Sequence, residues 1–253
     1  MNEKVTRADL KKRAKAKMRG DFGTAFKLNS IPIIFTILAV ILWTLLVVAL
    51  AVFMSVDKNA TNSINSAASA QQYVSDTMKQ SNGQWFGTFI GALINTMLSA
   101  GISIASLSWL RLPKDETLNK PFVKQFQGFT SDYFVAILII FIITSVITYF
   151  GYFLLIIPGI ILALAFQPIY LLYSDEGDNY GYFNIIGRSW QFMRGHKFDL
   201  FVFQLSFIFW YVGMFLTLGL LGIYFIPYRN LALAAFYDNI VAENRANDAQ
   251  VAA

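Results

Sequence analysis

The chain has 253 residues, 56% of them hydrophobic and 14% charged, with a mean hydropathy of +0.52. A soluble domain typically carries about 25% charged residues, so this chain lacks the polar surface to clothe a water-facing core. Apolar segments that span lipid remove that need. The absence of cysteine excludes disulfides, thiolate metal sites and cysteine nucleophiles, and fits a bacterial membrane protein. The net charge of +5 is distributed in a way that points to membrane topology and not to nucleic acid.

The first element is a basic segment, 1–30, in which Leu10, Ala14 and Met18 share one helical face among lysines and arginines. Such a helix is expected on the anionic inner leaflet. The apolar run that follows, 31–54, exceeds the usual signal-peptide core of about 7–15 residues, so it is expected to be a retained first span. A loop rich in Ser, Asn, Ala and Gln over Ser55–Gln84 leads to a second span at 86–110. The apolar blocks 133–173 and 200–241 are each too long for one helix of about 20 residues. Each breaks at a proline, near Pro158 and near Pro227, because proline is best tolerated in the first turn of a helix. The spacing therefore predicts further spans at 133–154, 158–173, 200–217 and 226–241, and a tail at 242–253. The expected fold is all-α and polytopic: six transmembrane helices as three hairpins, with cytoplasmic amphipathic segments.

Lys and Arg set the orientation. With the amino terminus inside, seventeen of the twenty fall on the cytoplasmic side, leaving Lys58, Lys79 and Arg229 outside. That asymmetry is what the positive-inside rule requires, and it puts both termini in the cytoplasm. Tyr and Trp gather at the ends of the spans, as an aromatic belt does.

Three cytoplasmic segments share a glycine followed by an aromatic before a hairpin, at Gly20, Gly128 and Gly195. A left-handed helix end would suit glycine there. Ile157-Pro158 and Ile226-Pro227, each followed by Leu-Ala-Leu-Ala, form a second echo between the last two hairpins.

The Leu10…Met18-Arg19-Gly20 pattern, the Ile157-Pro158-Gly159-Ile160 turn, the Arg188-Ser189-Trp190…Met193-Arg194-Gly195 segment and Pro227-Tyr228…Ala235-Phe236-Tyr237 together resemble a large family. Its members are Firmicute-type bacterial integral membrane proteins known only as a domain of unknown function. The turn and the Arg-Ser-Trp segment are distantly similar to the membrane domain attached to some glycerophosphodiester phosphodiesterases. This chain contains no phosphodiesterase domain, so the resemblance implies architecture and no activity.

Candidate sites are few. Arg229, with the helix starts at Pro158, Gly159 and Pro227, is a candidate anion or lipid-headgroup site, because helix amino termini carry unpaired amides and positive partial charge. Arg188, Trp190, Arg194, Lys11, Lys12, Arg13 and Lys15 are candidate contacts to inner-leaflet lipid or a partner, although interfacial anchoring by Trp and snorkelling by Arg without further purpose is the simpler reading of Arg188 and Trp190. Gln167, beside Pro168, and Gln204 are candidate cavity-lining residues. The single histidine, His196, has no partner set. Asp175-Glu176-Gly177-Asp178 lacks calcium-loop spacing, so no metal or cofactor is expected.

No Asp, Glu, Lys or His falls in the middle of an expected span, where ionisable groups mark ion pathways. Paired acids, an activated nucleophile and a Walker motif are missing too. The reading is therefore a non-enzymatic protein of the bacterial plasma membrane that organises lipids or partner membrane proteins, including further copies of itself. A small permease or export factor is the alternative.

Overall fold

The computed structural model describes residues 5–56, 67–113 and 116–251, and these residues form helices and connecting turns with no strand. Two short helices come first. α1 (Arg7–Gly20) opens with a capping box in which Thr6 and Asp9 exchange side-chain and backbone hydrogen bonds. α2 (Phe22–Leu28) is capped by Asp21, which accepts from the Thr24 amide at 2.9 Å. Both caps satisfy amides that a helix start leaves unpaired.

α3 (Ser30–Val56) and α4 (Ala67–Arg111) follow. Of the loop expected at Ser55–Gln84, 57–66 with Lys58 lies outside the described residues, and Ala67 onward is helical. A short helix α5 (Pro121–Lys124) and a 3₁₀ turn (Gln127–Phe129) lead into α6 (Ser131–Leu154).

Leu155, in extended conformation, reverses the chain into α7 (Ile156–Phe166), so the break expected at Pro158 is present. The two arms cross closely, since a Cβ on Gly151 would lie 3.2 Å from the Gly159 Cα. Small residues allow that approach. α8 (Ile169–Phe192) is bent 55° from α7 and is itself broken at Gly181, where φ is +64°. α9 (Lys197–Leu205), α10 (Ile208–Leu216) and α11 (Gly222–Val251) complete the chain.

Four stretches among the described residues are long and apolar enough to cross a membrane: Ser30–Val52, Phe86–Arg111, Ser131–Leu154 and Lys197–Leu216. The bent pair α7–α8 passes the same test only when its two helices are taken as one span, which brings the count to at most five. The count thus stops short of the six expected. The segment assigned to the sixth, 226–241, lies inside α11, which begins before Pro227 and carries it within the helix. Arg229 and Asp238 interrupt its apolar run, and Leu231, Ala232, Ala235, Phe236 and Tyr237 are buried against other helices. Burial by protein explains their apolar character as well as lipid would.

The α1 stripe of Leu10, Ala14 and Met18 is fully covered, chiefly by α11. Burying a side chain of Leu or Met size contributes about 1.5–3 kcal/mol. The stripe is therefore satisfied by protein, and only the basic faces of α1 remain for lipid.

The glycine pattern proves to be three different devices. Gly195 has the left-handed φ of +88°, Gly20 meets open space, and Gly128 allows backbone to touch backbone.

Between α10 and α11, Leu218 and Gly219 adopt φ of +50° and +81°. The Gly219 amide donates to the Met214 carbonyl at 2.8 Å, which closes the end of α10. A Cβ on Gly219 would lie 3.3 Å from Val40 Cγ2 on α3. Gly219→Val is expected to lose about 1–2 kcal/mol from left-handed strain alone. Thermal unfolding in mild detergent checks this, and an unchanged midpoint would remove the strain argument.

Candidate functional site

The polar side chains gather at one end of the helices. Arg111, the last residue of α4, grips Asp175 of α8 with two hydrogen bonds of 3.0 and 2.8 Å. Its Nε also donates to Asp238 of α11 at 2.9 Å. Asp238 receives Arg13 of α1 at 2.8 Å as well. The buried Tyr237 hydroxyl donates to Asp175 at 3.0 Å. Burial, and then the neighbouring Asp175 charge, push the Tyr237 phenol above its ordinary value. The Arg111 guanidinium therefore fastens three helices, α4, α8 and α11, using the planar fork that Arg alone provides, and Arg13 adds α1 through Asp238.

Glu176 receives Arg188 at 2.7 and 3.1 Å. The pair is twelve residues apart, and only the reversal at Gly181 brings it together. Ser189 anchors the returning arm by donating to the Ala165 carbonyl at 2.8 Å. Two of the acids in 175–178 are thus counterions to arginines. Among the described residues no three His, Asp or Glu side chains could share a metal ion.

A second polar group lies at the foot of α3. Asn29, buried, donates to the Ala25 carbonyl at 2.9 Å and accepts from Asn230 of α11 at 2.6 Å. Gln125, wholly buried, donates to Ser30 Oγ at 3.2 Å and to the Phe122 carbonyl at 2.9 Å, and accepts the Ile31 amide at 3.3 Å. It serves one of the unpaired amides of the α3 start.

Around this foot α2 and α5 pack side by side. They and the adjoining 3₁₀ turn expose Phe22, Phe26, Phe122, Phe126 and Phe129 by 38–50% each. The exposed Lys27, Lys120 and Lys124 stand among these rings. Apolar rings interleaved with lysines on short helices suit the boundary between acyl chains and headgroups.

Three clefts open near the charged end. One of about 520 Å³ lies between α1 and α11 and is lined by Arg7, Leu10, His196, Asp199, Phe236 and Glu243. His196 is 3.9 Å from Glu243 there. Another of about 510 Å³ is lined by Arg13, Lys17, Trp109, Leu112 and Glu116. Lys17 donates across it to the Leu112 and Pro113 carbonyls, at 2.8 and 3.0 Å, closing the end of α4. The third, about 120 Å³, lies beside Asp175, Glu176 and Arg188.

The residues singled out from the sequence fall into different settings. Pro158 and Gly159 lie in α7, where Gly159 packs on Tyr152 and Gly151 of α6. Pro227 and Arg229 lie in α11, which packs on α2 and α3. These four residues form two separate settings. Arg229 is half-buried and has no ion pair among the described residues.

Arg188 is held by Glu176 and lies 5.7 Å from the Tyr180 ring centre, whereas Trp190 is covered by the Lys197 ammonium, so the two do not make one clamp. Arg194 is exposed. On α1, Lys11 turns inward to Ser206 and lies 4.4 Å from the Phe207 ring centre, and desolvation pulls its pKa down. Arg13 is paired, and Lys12 and Lys15 point outward. Gln167 is exposed at the α7–α8 break and Gln204 half-buried in α9, and neither lines the three clefts.

Sequence reasoning missed Arg111, Asp238, Tyr237, Asn29 and Gln125. Arg111, directly after an apolar run, was the one with a local signal. The others acquire partners only through long-range packing.

A family model described as "Protein of unknown function (DUF975)" matches residues 153–244. The match runs from the end of α6 to most of α11, and so includes the Pro158 turn, the Arg188–Glu176 pair and Asp238. No curated protein and no solved structure matches the chain.

Proposed function

We propose that this chain is a non-enzymatic multi-pass protein that organises anionic lipid of the cytoplasmic leaflet around its charged end. The observation that carries the reading is the platform at the foot of α3, where exposed phenylalanines alternate with Lys27, Lys120 and Lys124. Exposed Lys15 and Arg19 on α1 add cations that have no acidic partner among the described residues. A bacterial plasma membrane and kinship with Firmicute-type proteins belong to the same proposal, as do cytoplasmic termini, which the skew of Lys and Arg supports.

Each lysine near an anionic surface contributes about 1 kcal/mol. Replacing Lys27, Lys120 and Lys124 with Gln is therefore expected to strip most bound anionic lipid while the fold persists. Native mass spectrometry from mild detergent measures it. Equal retention by the variant would end the lipid reading, and a stoichiometric second protein in the spectrum would favour the partner role instead. The permease alternative is supported by the 55° bend between α7 and α8 with Gln167 at the break. Solute flux into vesicles that is lost in Gln167→Leu would favour it.

A further inference from the structure

The α10–α11 hairpin meets α3 at two heights. Its turn lies against α3 at Gly219, where a Cβ would stand 3.3 Å from Val40 Cγ2 and 3.7 Å from the Thr36 carbonyl. Its lower end is fixed at the very foot of α3, where Asn230 bonds Asn29 at 2.6 Å. The hairpin therefore covers only the part of α3 up to Val40. The apolar run of α3 continues to Val52, with Leu42, Trp43, Leu45, Leu46, Val48 and Leu50 exposed.

Length gives the same answer. α10 has nine residues, which rise about 14 Å, against about 30 Å of hydrocarbon. The longer apolar stretch Lys197–Leu216 does not add the missing height. Its first half, α9, is tied beside α1 by Arg7–Asp199 at 3.3 Å and by Lys11 to Ser206. Only α10 continues upward.

The turn is built for an apolar place. Thr217-Leu218-Gly219-Leu220-Leu221-Gly222 holds no charge, and its amides are satisfied locally. Leu218, Gly219 and Leu220 donate to Phe215, Met214 and Thr217, Leu221 donates to Thr217 Oγ1, and Gly222 donates to Gly219. Backbone at membrane depth has to be paired in this way. The arms are joined by rings: Trp210 lies 5.5 Å from Phe225, nearly parallel at 9°, and 5.7 Å from Tyr228.

We infer that α10, its turn and the start of α11 form a re-entrant hairpin that occupies one leaflet and returns to the side it entered from. Arg229 then stands at the foot of the hairpin with the other basic residues, raising that side's share to eighteen of twenty. The chain consequently presents more helix to the leaflet at its charged end than to the opposite one. This rests on the bilayer reading above but not on what the lysine platform binds, so lipid-retention and topology experiments can fail separately.

The chain holds no cysteine, so single-cysteine variants report cleanly. Leu220→Cys at the turn and Arg229→Cys are compared with Arg245→Cys, and with Leu155→Cys between α6 and α7, using a membrane-impermeant maleimide on intact cells and inverted vesicles. Arg229→Cys is expected to label from the same side as Arg245→Cys and opposite Leu155→Cys. Leu220→Cys is expected to label only after detergent dissolves the bilayer. Labelling of Leu220→Cys from either side would overturn the inference, as would labelling of Arg229→Cys from the Leu155→Cys side. A nitroxide on Leu220→Cys supplies an independent depth. Stronger collision with lipid-dissolved oxygen than with an aqueous nickel complex supports the hairpin, and the reverse order rejects it.

Discussion

Gly128→Ala is expected to lower stability by about 3 kcal/mol, the upper end of the usual range for overpacking. The added Cβ would overlap the Met97 carbonyl of α4, and the reciprocal Cβ on Gly101 would overlap the Gln125 carbonyl. Backbone faces backbone at both points, so no rotamer change relieves the clash. Gln127 donates to the Gly101 carbonyl at 2.9 Å across the same contact. Separating the two segments would also withdraw Gln125 from the start of α3. Thermal unfolding followed by tryptophan fluorescence in mild detergent checks the prediction, with Gly20→Ala as control. Gly20 meets open space, and alanine is the better helix former by about 1 kcal/mol. Equal midpoints for Gly128→Ala and the wild type would show that α4 and the connector are not in close contact.

Arg111→Met is expected to cost about 2–3 kcal/mol, the range for hydrogen bonds to charged groups. The Arg111 side chain keeps 36% of its exposure, so water offsets part of the larger penalty that fully buried pairs show when broken. Removal leaves Asp175 with the Tyr237 hydroxyl but without its arginine, while Asp238 keeps Arg13. Arg111→Lys restores the charge but cannot reproduce three directed bonds, so it is expected to recover only part of the loss. The same unfolding measurement, with Asp238→Asn as a second variant, tests the order. If Lys equals Arg at this position, the geometry of the fork contributes nothing beyond its charge.

Both predictions concern contacts that join residues far apart in the chain, and that marks what could be read locally. Helical class, the apolar stretches and the break before Pro158 followed from hydrophobic length and proline chemistry. Leu10, Ala14 and Met18 were identified as one face, yet what covers that face is α11, which no period in α1 could indicate.

Residues 226–241 show the limit most clearly. Leu-Ala-Leu-Ala-Ala-Phe-Tyr suits a lipid-spanning helix and an interior protein helix equally, because hydropathy measures avoidance of water and not what replaces it. Asn230 against Asn29 and Asp238 against Arg111 and Arg13 fix where α11 stands beside α1, α3 and α4, which the apolar pattern alone does not specify.

The sequence by itself determined that the chain is helical, that much of it is suited to lipid, and where its charges concentrate, since these depend on residue type and spacing. The tertiary structure alone decided which apolar faces meet protein. It also decided which acids neutralise which arginines, and how far the α10–α11 hairpin rises along α3. Those outcomes depend on partners many residues away, and a hydrophobic or charged side chain does not encode which of several equivalent partners it will meet.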